Sequence, residues 1–251
     1  MKRLRLLQSS KGRRLQGQAL LEGCHLIEEA LRADFEIDVV CSTTRWQQQH
    51  PLLFQQVAQR ASRSVSVSEA VLAAIATTKT PDGIIATGPR TPPLQPQFPC
   101  TLGVAVEALQ DPGNLGTVIR TAAATDADGL WLSSDSVALD HPKVLRASAG
   151  QWFQLPMMPV PSLEEALHTA QGQGVQIVAT HLEAQKSHWE VNWRRPSLIV
   201  IGNEGAGLSA RVGAIADAQV RIPLWRGVES LNAAISLAVI LYEAQRQRSL
   251  E

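Results

Sequence analysis

A chain of 251 residues, 45% hydrophobic, with 23 basic side chains against 23 acidic ones, is long enough for one large domain or two smaller ones with ordinary cores. Zero net charge excludes a global pull toward a polyanion, and three widely spaced cysteines, Cys24, Cys41 and Cys100, exclude a disulfide framework and a Cys-x-x-Cys zinc ribbon. Met1 leads into Lys-Arg-Leu-Arg rather than an apolar signal segment, and the run Ala233 to Tyr242 is too short to span a bilayer, so a cytoplasmic protein with no membrane association is expected.

In chain order, Lys2, Arg3, Arg5, Lys11, Arg13 and Arg14 all precede the first acid, Glu22. Residues 1–14 therefore read either as a basic leader that tracks phosphates or as a solvated extension. Short β-branched runs at Ile37 to Cys41, Val65 to Val67 and Ile84 to Thr87 alternate with helical patterns at His25 to Leu31, Leu52 to Arg60 and Glu69 to Ala76. That alternation predicts a small α/β domain over residues 1–88. Five prolines within residues 89–99 forbid continuous helix or central strand and mark an extended linker.

Residues 100–251 repeat the rhythm in longer units. Strands are expected at Thr101 to Val106, Leu130 to Leu132, Val175 to Ala179 and Leu198 to Ile201, with helices at Leu115 to Ala124 and Leu163 to Ala170. Continuous apolar strands between helices indicate a mostly parallel sheet covered on both faces. Leu231 to Arg246 is apolar nearly all round, which predicts a helix that is buried or packed at a subunit interface.

Several polar positions stand out against this frame. Gly202-Asn203-Glu204-Gly205-Ala206-Gly207 follows a predicted strand, where a glycine-rich turn lets backbone approach a ligand or simply makes a tight connection. Its spacing is not that of the dinucleotide fingerprint, and no phosphate loop follows, which argues against a nicotinamide oxidoreductase. Ser230 and Asn232 sit at the start of the last helix, where either can be an N-cap; Asn114 can cap the helix that follows it. Arg120 falls outside the apolar stripe Leu115, Val118, Ile119 and Ala122, about 9 Å along the axis from Asn114. Thr180 ends a strand at the carboxyl edge of the expected sheet, where it can face a ligand or merely terminate the strand. The six histidines, His25, His50, His141, His168, His181 and His188, lack the i, i+4 pairing of zinc enzymes, so no metal is expected.

Taken in order, Asp111-Pro112-Gly113-Asn114-Leu115-Gly116 with Arg120, Ile199-Val200-Ile201-Gly202-Asn203-Glu204-Gly205-Ala206-Gly207-Leu208, and Arg221-Ile222-Pro223 running into Glu229-Ser230-Leu231-Asn232 resemble the three motifs of the SpoU (TrmH) family of the SPOUT superfamily. The resemblance spans nearly the whole chain. It implies methylation of a ribose 2′-hydroxyl in RNA by S-adenosylmethionine, on 23S rRNA ahead of tRNA, with a non-catalytic RNA-binding or assembly protein on the same fold as the alternative. It also implies a deep trefoil knot in the C-terminal SPOUT domain and a homodimer through that domain.

For the site, the resemblance maps donor contacts onto Thr180, Gly202, Ile222 and Leu231, and the catalytic set onto Arg120, Asn114, Glu204, Ser230 and Asn232. Gly17-Gln18-Ala19-Leu20-Leu21-Glu22-Gly23 and Thr78-Lys79-Thr80-Pro81-Asp82-Gly83-Ile84 resemble the substrate-binding domain that precedes many SpoU enzymes. Trp225 and Arg226 depart from the smaller residues common in that loop. A guanidinium resists deprotonation, so Arg120 reads as an electrostatic clamp on the developing alkoxide, with Glu204 or water taking the proton.

Overall fold

The structure is a computed structural model describing residues 2–249; Met1 and Glu251, the outer limits of the two expected domains, lie outside the described residues, as does Leu250. The elements follow in chain order as α1 (Lys2–Leu6), α2 (Ser10–Gln16), β1 (Gln18–Glu22), α3 (Cys24–Arg32), β2 (Val39–Thr43), α4 (Thr44–Gln49), α5 (Pro51–Arg60), β3 (Arg63–Val67), α6 (Glu69–Ile75) and β4 (Ile84–Pro89). Then come β5 (Leu102–Val106), α7 (Pro112–Ala124), β6 (Gly129–Ser133), α8 (Pro142–Ala147), β7 (Met157–Val160), α9 (Leu163–Gly172), β8 (Gln176–Thr180), β9 (Lys186–Ser187), β10 (Ser197–Ile201), α10 (Ala210–Ile215), β11 (Ala218–Arg221) and α11 (Ala233–Arg248). Backbone proximity divides the chain into two compact units, Met1–Pro93 with Ala138–Gln154, and Leu94–Val137 with Leu155–Glu251.

The first unit is a sheet of order β1-β4-β2-β3, antiparallel except where β2 meets β3. Leu7, Leu20, Cys41, Leu72, Ile75 and Ile85 form its core. Of the two readings of the leader, the loose extension does not hold, because residues 2–16 form two helices fastened to the unit. Ser9 caps α2 by accepting from the Gly12 amide at 3.1 Å, and Gly12 lies so close to the Leu6 carbonyl that a Cβ there would collide with it. Gln8 Nε2 donates to the carbonyls of Ile75 and Ala76 at 3.0 and 2.9 Å, which fastens the leader to the end of α6.

Arg13 is correspondingly withdrawn from the set of available cations. It is 1% exposed, with Nε 3.4 Å from Asp140 Oδ1 in an ion pair that lacks hydrogen-bond geometry, while Arg90 Nε reaches the other oxygen of Asp140 at 2.6 Å. Arg146 on α8 reaches the buried Glu22 at 3.2 Å, and Glu22 also accepts from the amides of Thr77 and Thr78 at 3.0 and 3.2 Å. Two buried carboxylates thus tie the distant segment Ala138–Gln154 into the first unit. Lys2, Arg3, Arg5, Lys11 and Arg14 stay exposed.

The second unit holds seven strands, all parallel, in the order β7-β6-β5-β10-β8-β11-β9. Central strands β5 and β10 are buried along their whole length, as continuous apolar runs require when both faces are covered. On one side Trp131, Leu163, Leu167, Ile177, Leu198 and Val200 pack together, each burial contributing about 1.5–3 kcal/mol. Phe98 stacks on Trp131 at 4.4 Å, so the proline-rich segment packs against the sheet from Leu94 onward, where the Leu94 carbonyl accepts from Met157 at 3.0 Å.

The last helix begins at Ala233, two residues later than its apolar pattern suggested, because Asn232 acts as N-cap. It buries Ala234, Leu237, Ile240, Leu241 and Ala244 and leaves Ile235, Val239 and Tyr242 exposed. The three cysteines are free thiols. Among the described residues no helix is long and apolar enough to cross a membrane.

Candidate active site

Parallel strands present their carboxyl ends on one edge of the sheet, and there β8 ends at Thr180, β10 at Ile201 and β11 at Arg221. The loops that leave these strands, with the approach to α11, enclose a cavity of ≈ 500 Å³. All four residues expected on the donor side line it: Thr180, Gly202, Ile222 and Leu231. Glu204 and Ser230 from the expected catalytic set line it too, with Ile201, Leu208 and Leu224 adding apolar wall.

The glycine-rich loop after β10 has a defined shape. Asn203 and Gly207 exchange two backbone hydrogen bonds of 3.0 Å, closing the loop on itself. A Cβ at Gly202 would collide with the backbone of Gly207 and Leu208, and Gly207 adopts φ 70°, so glycine is needed at both positions. The Asn203 side chain fixes the rest: Oδ1 accepts from the amides of Gly205 and Ala206 at 2.9 and 3.0 Å, and Nδ2 donates to the Ala108 carbonyl at 2.8 Å. At the far end of the loop, Glu107 accepts from the Ser209 amide at 2.7 Å.

A chain of side-chain hydrogen bonds joins the three motifs. Asn232 Nδ2 donates to Asn114 Oδ1 at 2.9 Å, and Asn114 Nδ2 donates to Glu204 Oε1 at 3.0 Å. Glu204 further accepts from the amides of Asp111 at 2.9 Å and Gln110 at 3.2 Å. Burial pushes its carboxyl up, but the bonds from Asn114, Asp111, its own amide and Gln110 outweigh that and hold it below the ordinary glutamate range. It is therefore an ionised anchor for the loop before α7 and a weak proton acceptor.

Asn114 does not cap α7, contrary to the sequence reading. Asp111 does, its Oδ1 accepting from Gly113 at 2.6 Å and Asn114 at 3.0 Å, with Pro112 in the first helical position where a missing amide costs nothing. That leaves the Asn114 side-chain amide to bridge Glu204 and Asn232. Asn232 itself caps α11 through Oδ1, which accepts from Ala234 at 3.0 Å and Ile235 at 3.3 Å.

Arg120 stands apart from this chain. It lies six residues beyond Asn114 on α7, is exposed, does not line the cavity, and its side chain makes no hydrogen bond or ion pair among the described residues. Its position leaves it available to a group that is not part of this chain. Asn203, Glu107 and Asp111 do not stand out as functional in the sequence. The signal for Asn203 and Asp111 is local, since Asn and Asp before glycine commonly bond their own following amides.

The cavity suits S-adenosylmethionine. Its volume falls in the ~300–1,000 Å³ range of small-molecule sites. Its walls combine the apolar side chains of Ile201, Leu208, Ile222, Leu224 and Leu231, fit for a purine face, with the glycine backbone of 202–207 and the polar groups of Thr180 and Ser230, fit for hydroxyl and amino-acid groups. Thr180 Oγ1 is held by the Val200 carbonyl at 3.3 Å.

Comparison with known proteins agrees with this geometry. Residues 101–242 match the family described as "SpoU rRNA Methylase family", and residues 1–86 match the "MRM3-like substrate binding domain". The chain is 45% identical to the uncharacterized tRNA/rRNA methyltransferase slr1673 of Synechocystis sp., over 99% of this chain and 91% of that protein. It is 29% identical to the 23S rRNA (guanosine(2553)-2′-O)-methyltransferase RlmP of Bacillus subtilis, over 94% of this chain and 92% of that protein. The crystal structure of AdoMet-bound rRNA methyltransferase from Sinorhizobium meliloti superposes with TM-score 0.85 at 29% identity, covering 98% of this chain and 93% of that one. A family match over more than half the chain, falling on the residues that build the cavity, makes this chain an RNA methyltransferase of the SpoU rRNA methylase family.

Proposed function

We propose that the protein methylates a ribose 2′-hydroxyl in 23S rRNA, using S-adenosylmethionine. The observation that carries the reading is the Asn232–Asn114–Glu204 chain, which closes three separate loops around a cavity of ≈ 500 Å³ at the carboxyl ends of parallel strands. The 23S target is supported by the name of RlmP, which aligns along 94% of this chain. The domain match over residues 1–86 supports assigning RNA binding to residues 1–88, joined by 89–99 to a methyltransferase domain over 100–251, from which the segment 138–154 departs to pack with the first unit.

S-adenosylmethionine, when bound, supplies a methyl group on a sulfonium whose departure as a neutral thioether needs no metal. The protein's part is alignment and charge. Thr180, Gly202, Ile222 and Leu231 hold the donor, and Ser230 and Asn232 order the wall next to it. Asn114 and Glu204 fix the start of α7 and thereby the helix that carries Arg120. Arg120 clamps the developing alkoxide and a neighbouring phosphate. Hydrogen bonds lower the proton affinity of Glu204 without making it a poorer base than water, so the hydroxyl proton passes to Glu204 or to water.

The exposed Ile235, Val239 and Tyr242, spaced i, i+4, i+7 on α11, support a homodimer through the catalytic domain, and family membership supports a trefoil-knotted chain and a cytoplasmic location. The deciding experiment is label transfer from methyl-labelled S-adenosylmethionine into unmodified 23S rRNA and tRNA transcripts, followed by mapping of the alkali-resistant linkage. Label in 23S rRNA at one such linkage is expected; label confined to tRNA, or to a base, would overturn the reading.

A further inference from the structure

Four of the six tryptophans, Trp46, Trp131, Trp152 and Trp193, are fully buried, and Trp189, though 55% exposed, packs one side of its ring against His188 at 5.0 Å. Trp225 is different. It is 70% exposed, and among the described residues its ring makes no aromatic contact and its indole N–H no hydrogen bond. It opens a tight turn in which Arg226 and Gly227 both have positive φ, 59° and 72°, and the Val228 amide donates to the Trp225 carbonyl at 3.3 Å. This is a type I′ turn, with an arginine held in the left-handed region at its tip.

The placement of the turn is informative. Leu224 at one foot and Ser230 at the other line the donor cavity, whereas residues 225–229 do not. The turn thus belongs to the rim of the cavity rather than its wall. An acceptor oxygen must come within about 3–3.5 Å of the transferred methyl, so the nucleotides flanking the target ribose lie at the mouth of the cavity, of which this turn forms one part. Single-stranded RNA is gripped by aromatic faces for its splayed bases and by arginine for its phosphates, and the rim offers one of each on adjacent residues.

We propose that the Trp225–Arg226 turn is a contact for the acceptor RNA, in which Trp225 stacks on a base beside the methylated nucleotide and Arg226 pairs with a phosphate. The proposal rests on the RNA methyltransferase reading above and adds to it a determinant of which single-stranded contexts are accepted.

The test compares the full chain with Trp225→Ala, Trp225→Phe and Arg226→Gln, in three measurements: filter binding to unmodified 23S rRNA transcript across a salt series, calorimetry with S-adenosylmethionine, and mass by light scattering. Trp225→Ala is expected to weaken RNA binding about tenfold, the loss of one stacked base, and Trp225→Phe to retain most of the affinity. Arg226→Gln should lower the slope of log affinity against log salt by about 0.7. Donor affinity and mass should not change. Native RNA affinity in Trp225→Ala would overturn the proposal; so would a loss of donor affinity, which would make the turn a donor lid, or a change of mass, which would make it a subunit contact. If the native chain binds the donor but not the transcript, the 23S target and this contact fall together, whereas native transfer to the transcript with an indifferent Trp225→Ala removes this contact alone.

Discussion

Asn232 donates its side-chain amide to Asn114 at 2.9 Å across 118 positions of sequence, and the direction of that bond is forced from both ends. Glu204, an ionised carboxylate, can only accept, so Asn114 must turn its NH₂ toward Glu204 and its oxygen toward Asn232. The amides of Ala234 and Ile235 can only donate, so Asn232 must turn its oxygen to α11 and its NH₂ to Asn114. One orientation of each amide satisfies every partner.

Asparagine should therefore resist replacement by its near-isostere. Asn114→Asp would set a carboxylate against Glu204 and is expected to weaken S-adenosylmethionine binding roughly tenfold, about 1.4 kcal/mol, whereas Asn114→Ser should cost less. In a double-mutant cycle, Asn114→Ala and Asn232→Ala should couple by about 0.5–3 kcal/mol in denaturant unfolding. Strict additivity would mean that the bond contributes nothing to the fold.

Glu204 gives a pH signature. Its folded pKa lies below the ordinary glutamate value, so in acid the unfolded chain binds the extra proton first. The stabilisation is fully present above the ordinary value and is lost as pH falls through the lower folded one. Urea midpoints of the native chain and Glu204→Gln should differ at neutral pH and converge in acid; parallel curves across the whole range would remove the carboxylate from the account.

Arg120 is exposed and unpaired among the described residues, so its loss should leave the fold and the donor cavity untouched. Arg120→Ala is expected to lower methyl transfer by at least about 100-fold, with donor affinity within a few fold and melting temperature unchanged. Arg120→Lys should not restore activity, because a point charge lacks the planar fork. An active lysine variant would reduce the role of Arg120 to simple charge.

The leader combines two kinds of cation, which truncation would confuse. Arg13→Ala leaves Asp140 buried with part of its pairing gone and should destabilise the protein by about 3–5 kcal/mol in thermal or urea unfolding. Neutralising Lys2, Arg3, Arg5, Lys11 and Arg14 together should instead leave the melting temperature within a few degrees and flatten the salt dependence of RNA binding, by about 0.7 for each phosphate no longer neutralised. An unchanged slope would make the exposed cations a solubilising surface.

The parts of this molecule legible in the sequence are those where one residue type has a single use. Continuous apolar runs foretold β5, β8 and β10, and the spaced polar motifs brought Asn114, Glu204, Ser230 and Asn232 to one place. What escaped was decided by tertiary contact. β7 is missing from the expected strands, since Pro159 interrupts Met157–Val160, and it survives because it is an edge. Residues 1–14 read as a basic leader or a solvated extension, yet Leu7 and Arg13 find partners elsewhere in the unit, Gly12 packs on Leu6, and the segment forms two helices. Nothing local in Ala138–Gln154 announces that Asp140 and Arg146 will pair with Arg13 and Glu22, because a buried ion pair has no sequence period.

The two outer strands of the seven-stranded sheet set a limit on self-association. At one end β7 is four residues long and lacks an amide at Pro159; at the other, β9 is two residues long and begins with Lys186. Short length, proline and lysine each deny an incoming strand a continuous ladder to extend. Polymerisation by sheet continuation is therefore disfavoured at both ends, and the pairing proposed through α11 would join copies by side chains rather than by a shared sheet.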